Sequence, residues 1–239
     1  MTERQPAAFV TGGAARVGRA IVEKLASTGF RVIFTYKTSA GAAEDLTARY
    51  GNAVRCIQVD LAEVERFEKQ IVQAAESLGR LDLLVNCASV YQPDPSPPDL
   101  SFFQQTFKVN AEAPLRLMEW LAPLLKRNGG HVVNMIDILA ERPWPAYRTY
   151  CASKAALLNL TLSMARQLAP EVTVNGIAPG VVQWPPDYPA AEKEKYLKRV
   201  PLGRAGTPED VANLVHYLAT DGRYITGQII RLDGGRSIT

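Results

Sequence analysis

Seven short apolar runs, separated by stretches of helical periodicity, constrain this chain more than any other feature. The runs are 7–10 (AAFV), 31–36 (RVIFTY), 54–59 (VRCIQV), 81–85 (LDLLV), 131–136 (HVVNMI), 172–177 (VTVNGI) and 228–232 (QIIRL). Their apolar residues are continuous rather than alternating, as in parallel strands covered by helices on both faces. Amphipathic stretches cover 16–28, 40–50, 62–78, 101–127, 150–169 and 208–220, with Pro114 marking a kink in the fourth. Gly29, Gly51 and Gly79 follow three of these where a left-handed C-terminal cap belongs. The pattern predicts the α/β class: one doubly wound domain over 1–239, with a seven-stranded parallel sheet. The irregular stretches 86–100, 137–149 and 178–207 all leave strands. They belong on the carboxyl side of the sheet, where such folds bind ligands.

Composition narrows the function. Lys and Arg number 27 against 24 Asp and Glu, with the signs interspersed. That excludes a strongly basic nucleic-acid binder and an acidic tail. No segment approaches the roughly 18 apolar residues of a membrane span, and MTERQPAAFV holds no signal-peptide core. Cys56, Cys87 and Cys151 form no CxxC pair, and His131 and His216 lie far apart, so neither a disulfide framework nor a zinc site is expected. A cytoplasmic protein that binds no metal is the expectation.

After the first strand comes Thr11-Gly12-Gly13-Ala14-Ala15-Arg16-Val17-Gly18. Glycines permit a tight turn and close backbone approach, and the helix N-terminus that follows favours a pyrophosphate. The second strand ends in Tyr36-Lys37-Thr38-Ser39, where a NAD site would place a carboxylate for the ribose 2′-hydroxyl. A cation and two hydroxyls suit a 2′-phosphate instead, so NADP is the expected cofactor. Asp60, before Leu61, can accept from an adenine amino group.

Tyr150 and Lys154 lie four residues apart, on one helical face. A phenol of pKa about 10 is a poor proton carrier at neutral pH. An ammonium about 5 Å away, at an effective dielectric of about 20, would favour the phenolate by roughly 3 kcal/mol, about two pKa units. That suits proton transfer coupled to hydride transfer.

These residues together resemble the short-chain dehydrogenase/reductase family over essentially the whole chain. The matching elements are Thr11-Gly12 with Gly18, Asp60-Leu61, Leu81 to Ala88, Val109-Asn110, Tyr150 to Lys154, Val174-Asn175, Pro179-Gly180 and Asp233-Gly234-Gly235. The resemblance implies a Rossmann-type fold and a homotetramer built on the long helices 101–127 and 150–169. It implies cofactor contacts from Gly12, Arg16, Val17, Gly18, Tyr36, Lys37, Thr38, Ser39, Asp60, Leu61, Asn86, Ala88, Ser89, Tyr150, Lys154, Pro179, Gly180 and Val181. Asn110 would support a proton-relay water, and Lys154 would hold the nicotinamide ribose. The four-residue Tyr–Lys spacing departs from the family's enoyl-thioester reductases, which use a longer gap.

Two departures bear on substrate. Arg16 stands where a glycine is usual, and Asp137 stands where the catalytic serine is usual. An ionised aspartate accepts hydrogen bonds but donates none to a carbonyl oxygen. Both departures resemble the pteridine reductases, as does an aromatic residue at Tyr91, which there sandwiches the pterin against the nicotinamide. The expected activity is NADPH-dependent reduction of a pterin or folate, with catalytic Asp137, Tyr150, Lys154 and Asn110. Substrate contacts would come from Arg16, Ser89, Tyr91, Asp137, Tyr150 and Trp184, and the 178–207 loop would fold over the substrate. The alternatives are a reductase of a ketone, sugar or acyl thioester, and a non-catalytic NADP-binding protein.

Overall fold

The computed structural model describes residues 5–239. All seven strands form: β1 (Ala7–Val10), β2 (Arg31–Tyr36), β3 (Val54–Gln58), β4 (Leu83–Asn86), β5 (His131–Met135), β6 (Thr173–Pro179) and β7 (Ile229–Leu232). They build one parallel sheet in the order β3-β2-β1-β4-β5-β6-β7. The strands read as continuous apolar runs because both faces are covered. Ala8 and Val10 join one core cluster, and their neighbours Ala7 and Phe9 join the other. Four residues of one strand thus feed two cores, and each fully buried Phe or Val contributes about 1.5–3 kcal/mol.

Three helices, at residues 16–27, 40–50 and 208–220, cover the first face. In α1 (Arg16–Ser27), Gly18, Ile21, Val22 and Leu25 recur at the spacing of one helical stripe, and all four are buried. It packs against α8 (Pro208–Thr220), which starts at a capping box between Thr207 and Asp210. Between them in sequence run α2 (Ala40–Tyr50), α3 (Glu68–Glu76), α4 (Leu100–Phe107), α5 (Ala113–Asn128), α6 (Arg148–Leu168) and α7 (Ala190–Leu197). Residues of α3, α5 and α6 close the second core. No helix among the described residues is long and apolar enough to cross a membrane.

Three expectations need correction. The stretch 62–78 divides into a 3-10 segment at Leu61–Phe67 and then α3. The stretch 101–127 divides into α4, a π-helical turn at Lys108–Glu112 and α5. The irregularity therefore precedes Pro114, which has no N–H to return to the carbonyl of Asn110 one turn earlier. Finally, the 178–207 stretch is not all loop, since α7 lies within it.

Candidate active site

Along the carboxyl edge of the sheet runs one cleft of about 1040 Å³. At its nucleotide end the turn after β1 is packed to the limit. A β-carbon on Gly18 would sit 2.1 Å from the Gly12 carbonyl oxygen, and one on Gly12 would sit 2.9 Å from the Cα of Ala88. The following α1 has no side-chain cap at Ala15 and no acidic residue in its first turn. Its first amides and the positive end of its dipole are left for an anion, so the residues present fit a dinucleotide pyrophosphate. Thr11 stiffens the turn, its hydroxyl accepting from the amides of Cys87 (2.9 Å) and Ala88 (3.0 Å).

At the end of β2 the Lys37 ammonium lies 2.9 Å from the Asp60 carboxylate. Burial raises the Asp60 pKa, but the Lys37 pair and the Ala62 amide outweigh it and hold this carboxyl below its ordinary value. Lys37, Tyr36, Asp60 and Leu61 line the cleft, whereas Thr38 and Ser39 do not. Those two are exposed just before α2.

The chemical end is built from β5 and α6. Asp137 leaves β5 in extended conformation, and its Oδ1 accepts from the Leu139 amide at 2.8 Å. Its Oδ2 accepts from the Tyr150 hydroxyl at 2.7 Å. Burial pushes the Asp137 carboxyl up, against the lowering pull of Leu139, Tyr150 and Lys154. The tyrosine's expected easing by lysine is reversed. Burial and then Asp137 drive the Tyr150 phenol well above its ordinary value. The Lys154 Nζ donates to the Met135 carbonyl at 2.7 Å and lies 5.8 Å from the centre of the Tyr150 ring. Burial lowers this ammonium to about 8, opposed by the charge of Asp137.

Two expected site residues stand behind the wall. Asn110, in the π-turn, accepts from the Val90 amide at 2.8 Å, donates to the Val90 carbonyl at 3.0 Å, and donates to Ser153 at 2.9 Å. It holds the irregular segment that carries Ser89 and Tyr91 rather than lining the cleft. Asn86 donates to Asn134 at 2.8 Å, and Asn134 to Thr161 at 2.9 Å, which links β4, β5 and α6 through the core. The remaining expected residues (Gly12, Arg16, Val17, Gly18, Ala88, Ser89, Tyr91, Pro179, Gly180, Val181 and Trp184) all line the cleft.

Sequence reasoning missed its aromatic frame. Tyr147 stacks on Tyr91 with ring centres 4.8 Å apart, and Tyr91 meets Tyr150 edge-on at 4.7 Å. Across the cleft Trp184 contacts Tyr188 (4.9 Å) and Tyr196 (5.4 Å). Arg142, Arg199 and Arg236 also line it. Tyr196 and Arg199 sit on or beside α7, and only the aromatic content of 184–196 signalled that this segment could build a wall.

A family model described as enoyl-(acyl carrier protein) reductase matches residues 12–237. The chain belongs to the short-chain dehydrogenase/reductase family. Members of this family are NAD(P)-dependent oxidoreductases. Among its relatives is the 3-oxoacyl-[acyl-carrier-protein] reductase FabG of Aquifex aeolicus, 32% identical over 242 residues that cover 95% of each chain. Pteridine reductase 1 of Leishmania tarentolae is 32% identical over 280 residues, covering 98% of this chain and 97% of that protein. A blue fluorescent protein from a metagenomic library, solved in complex with NADPH, superposes with a TM-score of 0.90 at 33% identity over 97% of both chains. As a short-chain dehydrogenase/reductase the chain keeps the glycine turn, Tyr150 and Lys154 in one cleft, while Asp137 and Arg16 give that cleft an unusual acceptor and an unusual cation.

Proposed function

We propose that this enzyme uses NADPH to reduce a dihydropterin to the tetrahydro form. The observation that carries the reading is Asp137, which accepts from both Leu139 and Tyr150 and so stands in the cleft as a hydrogen-bond acceptor. Pterin rings present amino and ring N–H donors, and a carboxylate suits them where it would not suit a carbonyl oxygen. Tyr91 and the Tyr147 ring stacked on it would give the pterin an aromatic surface, and stacking is worth about 0.5–1.5 kcal/mol beyond burial. Arg16 and Ser89 would meet the polar edge of the pterin.

Bound NADPH supplies a hydride. Gly12, Gly18 and the first amides of α1 would hold its pyrophosphate, Lys37 its 2′-phosphate, and Lys154 its nicotinamide ribose beside Gly180. In a 7,8-dihydropterin reduced at C6, the proton for N5 would come through water from the Asp137 side. For a fully oxidised pterin, Tyr150 would protonate N8. Asn110 and Trp184 act by position, Asn110 holding the Tyr91 segment and Trp184 walling the substrate end. The chain would work as a homotetramer in the cytoplasm, which would cover the exposed Leu100 and Phe103 of α4 and Leu162 of α6.

A second reading is a carbonyl reductase. Its support is the recurrence of relatives named 3-oxoacyl-[acyl-carrier-protein] reductase, from Aquifex aeolicus, Synechocystis and Staphylococcus aureus at 31–32% identity. Burial that raises the Asp137 pKa would favour the neutral acid, which can donate to a carbonyl oxygen as a serine does. NADPH oxidation with 7,8-dihydropterins, beside a panel of ketones, sugars and 3-oxoacyl thioesters, separates the two. Rapid dihydropterin turnover with silence on carbonyls is the expected result, and the opposite selects the carbonyl reading.

A further inference from the structure

The irregular segment between β4 and α4 carries Tyr91 and then Pro93, Pro95, Pro97 and Pro98, which have no N–H to give to a backbone ladder. Side chains must fix it instead. Asn110 holds Val90 at one end. Farther along stands Asp94, whose side chain is only 7% exposed. Its Oδ2 accepts from the Arg148 amide at 2.7 Å and from the Arg148 Nε at 3.1 Å. Its Oδ1 accepts from the Thr149 amide at 3.2 Å, and its own amide donates to the Ala146 carbonyl at 2.8 Å.

These bonds supply what α6 lacks locally. Tyr147, at the N-cap position, makes no side-chain cap bond. The first two amides of the helix are satisfied by a carboxylate 54 residues earlier in the chain, set at the positive end of the helix dipole. Burial raises the Asp94 carboxyl, but its bonds to Thr149 and Arg148 outweigh that and hold it below its ordinary value. The clamp also closes on the aromatic stack. Tyr91 precedes Asp94 by three residues, Tyr147 directly precedes Arg148, and their rings lie 4.8 Å apart at 9°. Tyr150 directly follows Thr149 and meets Tyr91 edge-on.

We infer that Asp94 is a positioning residue: by capping α6 from the segment after β4, it holds the Tyr91–Tyr147 platform against Tyr150 and so sets the affinity for substrate. The inference rests on the proposed function only in taking Tyr91 as a substrate contact. Asp94 does not line the cleft. The glycine turn belongs to β1 and α1, and Lys154 is held separately by the Met135 carbonyl, so the clamp leaves cofactor binding alone.

Kinetics of the full chain test it. Asp94→Ala should raise the substrate KM at least tenfold, change kcat less than threefold and leave the NADPH Kd within twofold. Asp94→Asn keeps one carbonyl oxygen for α6 and should give an intermediate KM; it carries the same comparison if Asp94→Ala does not fold. In a Tyr91→Ala background, Asp94→Ala should raise KM by less than a further twofold, because the platform it holds is gone. A KM within twofold of wild type, or a full additional effect in that background, overturns the inference. So does an NADPH Kd that weakens in step with KM, the mark of a general loss of structure. A protein that reduces 3-oxoacyl thioesters and no dihydropterin overturns the pterin reading, and the same ratios on the thioester still decide the role of Asp94. Hydrogen exchange on the NADPH-loaded protein needs no turnover. The amides of residues 91, 92, 148 and 149 should exchange at least tenfold faster in Asp94→Ala, with β1 and α1 unchanged, and unaltered protection overturns the clamp.

Discussion

Arg16 sits at φ 52, alone among the described non-glycine residues in the left-handed region. A β-carbon there costs about 1–2 kcal/mol. The position suits a glycine, and it makes Arg16 a strained side chain on the cleft wall, where its Nε donates to Gln183 at 3.4 Å. Arg16→Gly relieves the strain while adding freedom to the unfolded chain, so stability should stay within about 1 kcal/mol. The KM for dihydropterin should rise at least tenfold. Denaturant melts and steady-state kinetics check both, and lost stability with an unchanged KM would return Arg16 to a structural role. Asp137→Ser exchanges an acceptor for a donor: dihydropterin turnover should drop at least a hundredfold and 3-oxoacyl thioester turnover should rise. An unchanged dihydropterin rate removes Asp137 from the reaction. Lys154 supplies the pH dependence. Its folded pKa is lowered to about 8, so it is charged below that value and neutral above it. The cation expected to hold the ribose is lost as pH rises, and kcat/KM should fall through an alkaline limb near 8. Lys154→Arg keeps its charge, and the limb should vanish from the residual activity; a limb that persists belongs to another group. Asp137, Tyr150 and Lys154 were legible as a constellation because their spacing is local. Arg236 was not, because its burial depends on Tyr196 in a different element.

Elements show the same division. The strands and α1, α6 and α8 were readable because each carries a buried stripe or an apolar run. By contrast α7 (AAEKEKYL) buries no residue and has no apolar face to read. The π-turn at Lys108–Glu112 was hidden because 101–127 keeps one continuous helical pattern, and Pro114 drew attention to the wrong side of the irregularity. That turn has a consequence for stability. It delivers Asn110 to Val90 and Ser153, which fastens the segment after β4 to α6. Asn110→Ala leaves the Val90 amide and carbonyl without their partner at about 1–3 kcal/mol each. A loss of about 2–4 kcal/mol in denaturant unfolding is expected, together with a fall in turnover as Tyr91 loses its anchor. Unchanged stability would mean that other contacts hold this segment.

At the scale of the molecule, the sheet reverses its strand order between β1 and β4, and the cleft opens there, along the carboxyl edge. A ligand in that cleft touches both halves of the fold, so binding and global stability are linked. One that binds only the native state at about 100 times its Kd adds about 2.7 kcal/mol. A chain of this size gains about 2–4 °C per kcal/mol, so saturating NADPH should raise Tm by about 5–10 °C. NADH at the same concentration lacks the 2′-phosphate that Lys37 would meet and should raise Tm less. Asp60 holds Lys37 at the end of β2, and a 2′-phosphate must compete with that carboxylate for the ammonium. Lys37→Asp replaces attraction with repulsion and offers an acceptor to the ribose hydroxyls, so the order of the two shifts should invert. Equal shifts from NADPH and NADH in the wild type would instead show that Lys37 is engaged by Asp60 alone and that the cofactor preference lies elsewhere in the cleft.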